Sequence, residues 1–294
     1  MATPTKPPRT KPPRTKPLSK TLRVNDLALH YLEWGKTDAP PIVCVHGYTG
    51  SADAFNAPAR HLQQRFHIVA PDVCGHGESA WSPAGTYRYE DQASDLAEFA
   101  NRLELDKFVL IGTSMGGIIA MTYAAGHGDR LLGLVINDIG PDAEAGTQRI
   151  TQMVGSRPDE FPSLEDAMAY RRVMSPILAA RGAEDQHELA LGVLRQRADG
   201  KWGWKMDPAY IRQRVERGAP VRPPLWPALQ ALPCPTLVVW GSDSDVLSEA
   251  QARRMVDTLP RGELVRVPGI GHAPTLVEPV VLAALYRFLG KLHG

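Results

Sequence analysis

The chain has 294 residues, 43% hydrophobic and 22% charged, the usage of an ordinary globular protein, which excludes a disordered, collagen-like or coiled-coil chain. Its apolar runs stop far short of the roughly 20 residues that span a bilayer, so no membrane association is expected. The formal charge of +1 is polarised: the first 23 residues hold seven Lys or Arg and no acid, leaving 26 basic against 32 acidic residues, about −6, in the remainder, which speaks against nucleic-acid binding.

Residues 1–20 read as a solvated, basic, Pro-rich tail. K-P-P-R-T repeats from Lys6 and from Lys11, and proline and like charges together prevent a core. Pro4 to Arg9 also satisfies a P-x-x-P-x-R docking pattern. The tail has neither the apolar stretch of a secretory signal nor the amphipathic helix of a mitochondrial presequence. Cys44, Cys74 and Cys234 are odd in number and lack C-x-x-C spacing. They indicate no disulfide framework and no zinc site, and a reducing, cytoplasmic setting.

From Thr21 alternating apolar residues around Asn25-Asp26 predict a hairpin to about Trp34. Apolar runs follow at Ile42 to Val45, His67 to Ala70, Phe108 to Ile111, Leu131 to Ile136, Thr236 to Trp240 and Leu264 to Val267. Helical periodicity marks Asp91 to Leu105, Met115 to Ala125, Glu249 to Leu259 and Leu276 to Leu292. Strands buried on both faces and alternating with helices imply an α/β fold with a mainly parallel central sheet. The rhythm lapses between 141 and 227, where we expect a helical cap inserted into a core formed by 21–140 and 228–294.

Gly112-Thr113-Ser114-Met115-Gly116 stands between a predicted strand and a predicted helix. A serine in G-x-S-x-G can occupy a tight strand-to-helix turn whose glycines leave room for close backbone approach. Serine is a feeble nucleophile at its own pKa, so it needs a neutral imidazole, and the imidazole needs a carboxylate to orient it. His272 follows the last predicted strand and is assigned as the base. His46 and His76 precede the serine and are read as loop-stabilising. The acid is assigned to Asp245, in Gly241-Ser242-Asp243-Ser244-Asp245, with Asp243 and Asp138 as competing strand-end positions.

His46-Gly47-Tyr48, Asp72 to Ser79, the G-T-S-M-G-G run, the post-strand aspartate and Gly271-His272 together resemble the α/β-hydrolase superfamily over about Arg23 to Gly294. That family usually places its acid three residues after the strand-ending glycine, where this chain has Ser244. The resemblance implies an oxyanion hole made of the Tyr48 and Met115 N–H groups.

The expected activity is hydrolysis of a carboxylic ester or lactone of a small apolar or aromatic molecule through an acyl-enzyme, with no metal and no cofactor. It should fade below about pH 6 to 7 as the base protonates. Trp202, Trp204 and Met206 are candidate substrate-lining residues. The competing readings are a C–C bond hydrolase of ring-cleavage products and a slow, receptor-like protein on the same fold. Oligomeric state is not legible.

Overall fold

The computed structural model describes residues 15–292, so most of the Pro-rich tail, including the docking pattern, lies outside the described residues. Strand β1 (Leu18–Val24) already begins within the stretch expected to be tail, and pairs antiparallel with β2 (Leu27–Trp34). Asn25 and Asp26 form their turn, both with positive φ, as a two-residue hairpin requires.

The core continues through β3 (Pro41–Val45), α1 (Asn56–Leu62), β4 (His67–Pro71), α2 (Tyr89–Arg102), β5 (Phe108–Thr113), α3 (Met115–His127) and β6 (Leu131–Asn137). The intervening chain holds α4 (Gly146–Gly155), β7 (Glu160–Phe161), α5 (Leu164–Met174), α6 (Pro176–Ala179), α7 (Ala183–Val193), β8 (Leu194–Gln196), β9 (Trp202–Trp204), α8 (Pro208–Arg217) and α9 (Leu225–Gln230). It closes with β10 (Thr236–Gly241), α10 (Glu249–Thr258), β11 (Gly262–Val267) and α11 (Pro279–Leu292). The last helix starts at Pro279 rather than Leu276. Leu276 has φ +64, which breaks the helical path, and proline is suited to a first helical turn.

The main sheet has the order β1-β2-β4-β3-β5-β6-β10-β11, with β1, β2 and β4 meeting antiparallel and all later neighbours parallel. Alternate residues of each strand feed opposite faces. Val43, Val45, Leu110, Leu134, Ile136 and Val238 pack under α2, α3 and α10, while Ile42, Val109, Ile111, Val135, Leu237 and Val239 pack under α1 and α11. This double burial is why the strands read as continuous apolar runs. The inserted stretch is not purely helical as expected, because β7-β9-β8 form a small antiparallel sheet with its own cluster around Phe161, Ala190 and Leu194.

Glycine lets α3 seat on the sheet. A Cβ at Gly116 would lie 2.1 Å from the Val45 carbonyl oxygen, and one at Gly112 would lie 2.4 Å from that of Gly116. Gly116→Ala is therefore expected to cost about 2 kcal/mol or more of stability, read as a lower urea midpoint; an unchanged midpoint contradicts this packing.

Candidate active site

Parallel strands end on one edge of the sheet, and three of those ends meet. β5 and β6 are in register at Thr113 and Asn137, so Ser114 and Asp138 lie side by side just past them. Both have positive φ, +53° and +58°, a region costly for residues other than glycine but best tolerated by Asp and Asn. The Ser114 N–H donates to the Asn137 carbonyl (2.9 Å), and the Asp138 N–H to that of Val239 (2.8 Å). Asn137 Nδ2 donates to the Pro274 carbonyl (2.8 Å) and ties the loop after β11 to β6. That loop also crosses Gly241, where a Cβ would stand 2.5 Å from the Ile270 carbonyl oxygen.

The loop delivers His272 between the two strand ends. Its Nδ1 is 2.9 Å from Asp138 Oδ2 and its Nε2 is 2.8 Å from Ser114 Oγ. An ionised carboxylate only accepts hydrogen bonds, so Nδ1–H donates to Asp138 and bare Nε2 accepts the Ser114 hydroxyl proton. Asp138 is wholly buried, and its other oxygen accepts the Gly241 N–H at 2.9 Å. Ser114 and His272 retain partial exposure. This arrangement can raise the nucleophilicity of a hydroxyl that solvent-borne molecules reach.

The structure corrects the acid assignment. Asp245 does not bond His272; its carboxylate forms a bidentate pair with Arg149 on α4, and its carbonyl accepts the Gly146 N–H at 2.8 Å. The Arg149 guanidinium holds the Asp245 carboxyl below its usual pKa. The reason is strand length. β6 ends at Asn137, opposite Val239, whereas β10 runs on to Gly241, so the acids that follow Gly241 emerge farther out. Asp243 is exposed and accepts from Ser242 Oγ at 2.9 Å.

The His46-Gly47-Tyr48 loop lies on the serine turn, since a Cβ at Gly47 would touch Ser114 Cβ at 3.4 Å. Met115 is the first residue of α3, so its N–H has no intrahelical acceptor and points, with the positive end of the helix, toward the turn. His46 and His76 do brace this loop. The Val73 N–H donates to His46 Nε2 (3.0 Å), which fixes the tautomer in which Nδ1–H donates to the Gly47 carbonyl (2.8 Å). His76 Nε2–H donates to the Tyr48 carbonyl at 2.7 Å. Burial keeps both rings neutral, with His76 pushed down to about 3 by desolvation and by His46 beside it.

Above the loop sits an aromatic layer whose contacts no local sequence pattern announces. Tyr210 on α8 stacks on Tyr87 (centroids 4.2 Å apart), meets Tyr48 edge-on (5.1 Å) and donates its hydroxyl to Met115 Sδ at 3.3 Å. Asp207 accepts the Tyr87 hydroxyl and caps α8 through the Ala209 N–H (2.8 Å). Asp207-Pro208 is a readable helix start, but nothing local says what that helix covers. Of the three lining candidates, Met206 is buried in the cluster that contains Tyr48 and Met115. Trp202 and Trp204 share one face of β9 and pack into the inserted segment's own cluster, with Trp204 5.7 Å from the Phe161 ring. Among the described residues no His, Cys, Asp and Glu group is arranged to hold a metal ion, and no helix is long and apolar enough to cross a membrane.

The alpha/beta hydrolase fold family model matches residues 40–279. A 3-hydroxybutyrate-oligomer hydrolase of Cupriavidus necator is 34% identical over 88% of this chain and 91% of its own. An sn-1-specific diacylglycerol lipase of Danio rerio is 29% identical over 81% of this chain and 74% of its own. The crystal structure of an alpha/beta hydrolase from Novosphingobium aromaticivorans superposes with a TM-score of 0.83 at 30% identity, covering 94% of this chain and 99% of that one.

The buried histidines make stability pH-dependent in a definite direction. Folded His76 stays neutral down to about 3, whereas its unfolded value is near 6.5. Below pH 6.5 the unfolded chain therefore takes up a proton that the folded one refuses, and stability falls as pH falls. The urea midpoint should drop between pH 7 and pH 4, and drop less steeply in His76→Gln; equal slopes contradict the assignment.

Proposed function

The chain belongs to the α/β-hydrolase superfamily and, on that premise and on the Ser114–His272–Asp138 relay, we propose that it is a serine hydrolase of carboxylic esters, with small hydroxyacid ester oligomers as substrates. The relay carries the reading. Ser114 Oγ attacks the ester carbonyl as its proton passes to His272 Nε2, and Asp138 stabilises the resulting imidazolium. The charge that develops on the carbonyl oxygen is received by the N–H groups of Tyr48 and Met115, a type of contact whose loss costs about 3 kcal/mol of barrier. His272 returns the proton to the departing alcohol, and water repeats the sequence on the acyl-enzyme. No step requires a metal or cofactor.

An ester rather than a C–C bond is supported by the lipase relative, and a hydroxyacid ester by the oligomer hydrolase, the more similar of the two. The segment between β6 and β10 serves as a cap: α8 rests on the oxyanion loop, and Arg149–Asp245 fastens α4 to the strand end. The partner is then a small molecule. The cysteines are unpaired and buried, in keeping with a cytoplasmic setting.

Release of 3-hydroxybutyrate from its linear dimer, together with 4-nitrophenyl butanoate turnover, tests the assignment. Ser114→Ala should fall to background. Asp138→Asn should lose roughly 10³- to 10⁴-fold in kcat, because the ring is left in the wrong tautomer. Asp245→Asn should stay within about threefold, since a solvent-exposed ion pair contributes little. Loss in Asp245→Asn equal to that in Asp138→Asn, or activity in Ser114→Ala, refutes the relay.

A further inference from the structure

Arginines of the cap are mostly committed to protein partners. Arg149 binds Asp245, Arg172 binds Glu165, Arg197 binds Glu160, and Arg214 donates to Thr151 Oγ1 and the Thr147 carbonyl. Arg157, between α4 and β7, is different. Among the described residues no carboxylate lies within ion-pair distance of it, and its one hydrogen-bond partner is Met206 Sδ at 3.8 Å, a weak acceptor. Its guanidinium lies 4.5 Å over the Trp204 ring. Burial lowers its pKa to about 10, which leaves it charged at neutral pH.

A largely buried cation without a counter-ion is costly, and the usual remedies are an anion or a dense set of acceptors. Asp159 acts on it only from beyond ion-pair distance, and Met206 Sδ is its one hydrogen-bond acceptor among the described residues. The surroundings do supply position: Met206, which accepts from Arg157, directly precedes Asp207, whose carboxylate takes the hydroxyl of the Tyr87 that stacks on Tyr210, and Tyr210 meets both Tyr48 and Met115. The guanidinium therefore borders, through Met206, the layer above the Ser114 turn. Arg171 Nη1 is also buried without a partner, but no contact connects it with Tyr48 or Met115.

We propose that Arg157 binds a free carboxylate carried by the ester, so that the enzyme selects anionic esters over their neutral counterparts. This rests on the ester-hydrolase reading and adds to it the group that recognises the substrate's charged end. A planar guanidinium, already oriented by the Trp204 face, suits bidentate capture of a carboxylate.

The test measures binding apart from turnover. In the Ser114→Ala background, titration calorimetry compares the linear 3-hydroxybutyrate dimer with its methyl ester. The acid should bind roughly tenfold or more tightly than the methyl ester. Arg157→Gln should remove that preference while changing methyl-ester affinity less than threefold, and Arg157→Lys should restore part of it. Equal affinity for acid and methyl ester before Arg157 is altered overturns the proposal without any variant. So does an equal loss for both ligands in Arg157→Gln, which is the result of a merely structural role. Cleavage of the dimer by the Ser114 enzyme is scored separately: a dimer held through Arg157 and never hydrolysed sustains the anion site and refutes the hydroxyacid ester substrate.

Discussion

A fully buried carboxylate organises this sheet edge. Asp138 gives one oxygen to the Gly241 N–H at the end of β10 and the other to His272 Nδ1 from the loop after β11. Burying such a group is expensive unless its lone pairs are met, and here each oxygen is met by a different strand's continuation. The same bonds that compensate Asp138 fix the imidazole tautomer, so bare Nε2 faces Ser114. Structural satisfaction and chemical readiness are one requirement.

Around that carboxylate the backbone accepts strain and close approach. Ser114 and Asp138 occupy the left-handed region on adjacent strand ends, and Gly116 and Gly241 stand where side chains would collide with β3 or the histidine loop. Conformations of this kind persist when the surrounding structure over-determines them. Here the determinants are the parallel register of β5, β6 and β10 and the doubly buried core beneath. The neutral His46 and His76 extend the same logic outward, fixing two carbonyls of the Gly47-Tyr48 loop that lies on the serine turn.

Much of this was legible in the chain because it is local. Apolar runs from Ile42 to Val267 gave the strands, Asn25-Asp26 the hairpin, and Gly112 to Gly116 the serine turn. His272 followed from its place after the last strand. The acid was not legible, because choosing among Asp138, Asp243 and Asp245 depends on how far β10 outruns β6, a property of register between strands a hundred residues apart. Asp245, the favoured choice, proved to be an anchor for α4. The setting of Trp202 and Trp204 was hidden for a similar reason: alternation on β9 turns both rings toward a small sheet that forms only when distant strands pair. Tyr210 and Arg157 lie in the same inserted segment, and their surroundings exist only once it is folded over the core.

The most direct measurement is covalent. An aryl fluorophosphonate requires a serine made nucleophilic by its neighbours, and intact-protein and peptide mass spectrometry locate what it modifies. One rapid adduct is expected on the peptide bearing Ser114, with the rate collapsing in Asp138→Asn and persisting in Asp245→Asn. An adduct on another residue, or undiminished labelling in Asp138→Asn, would contradict the relay.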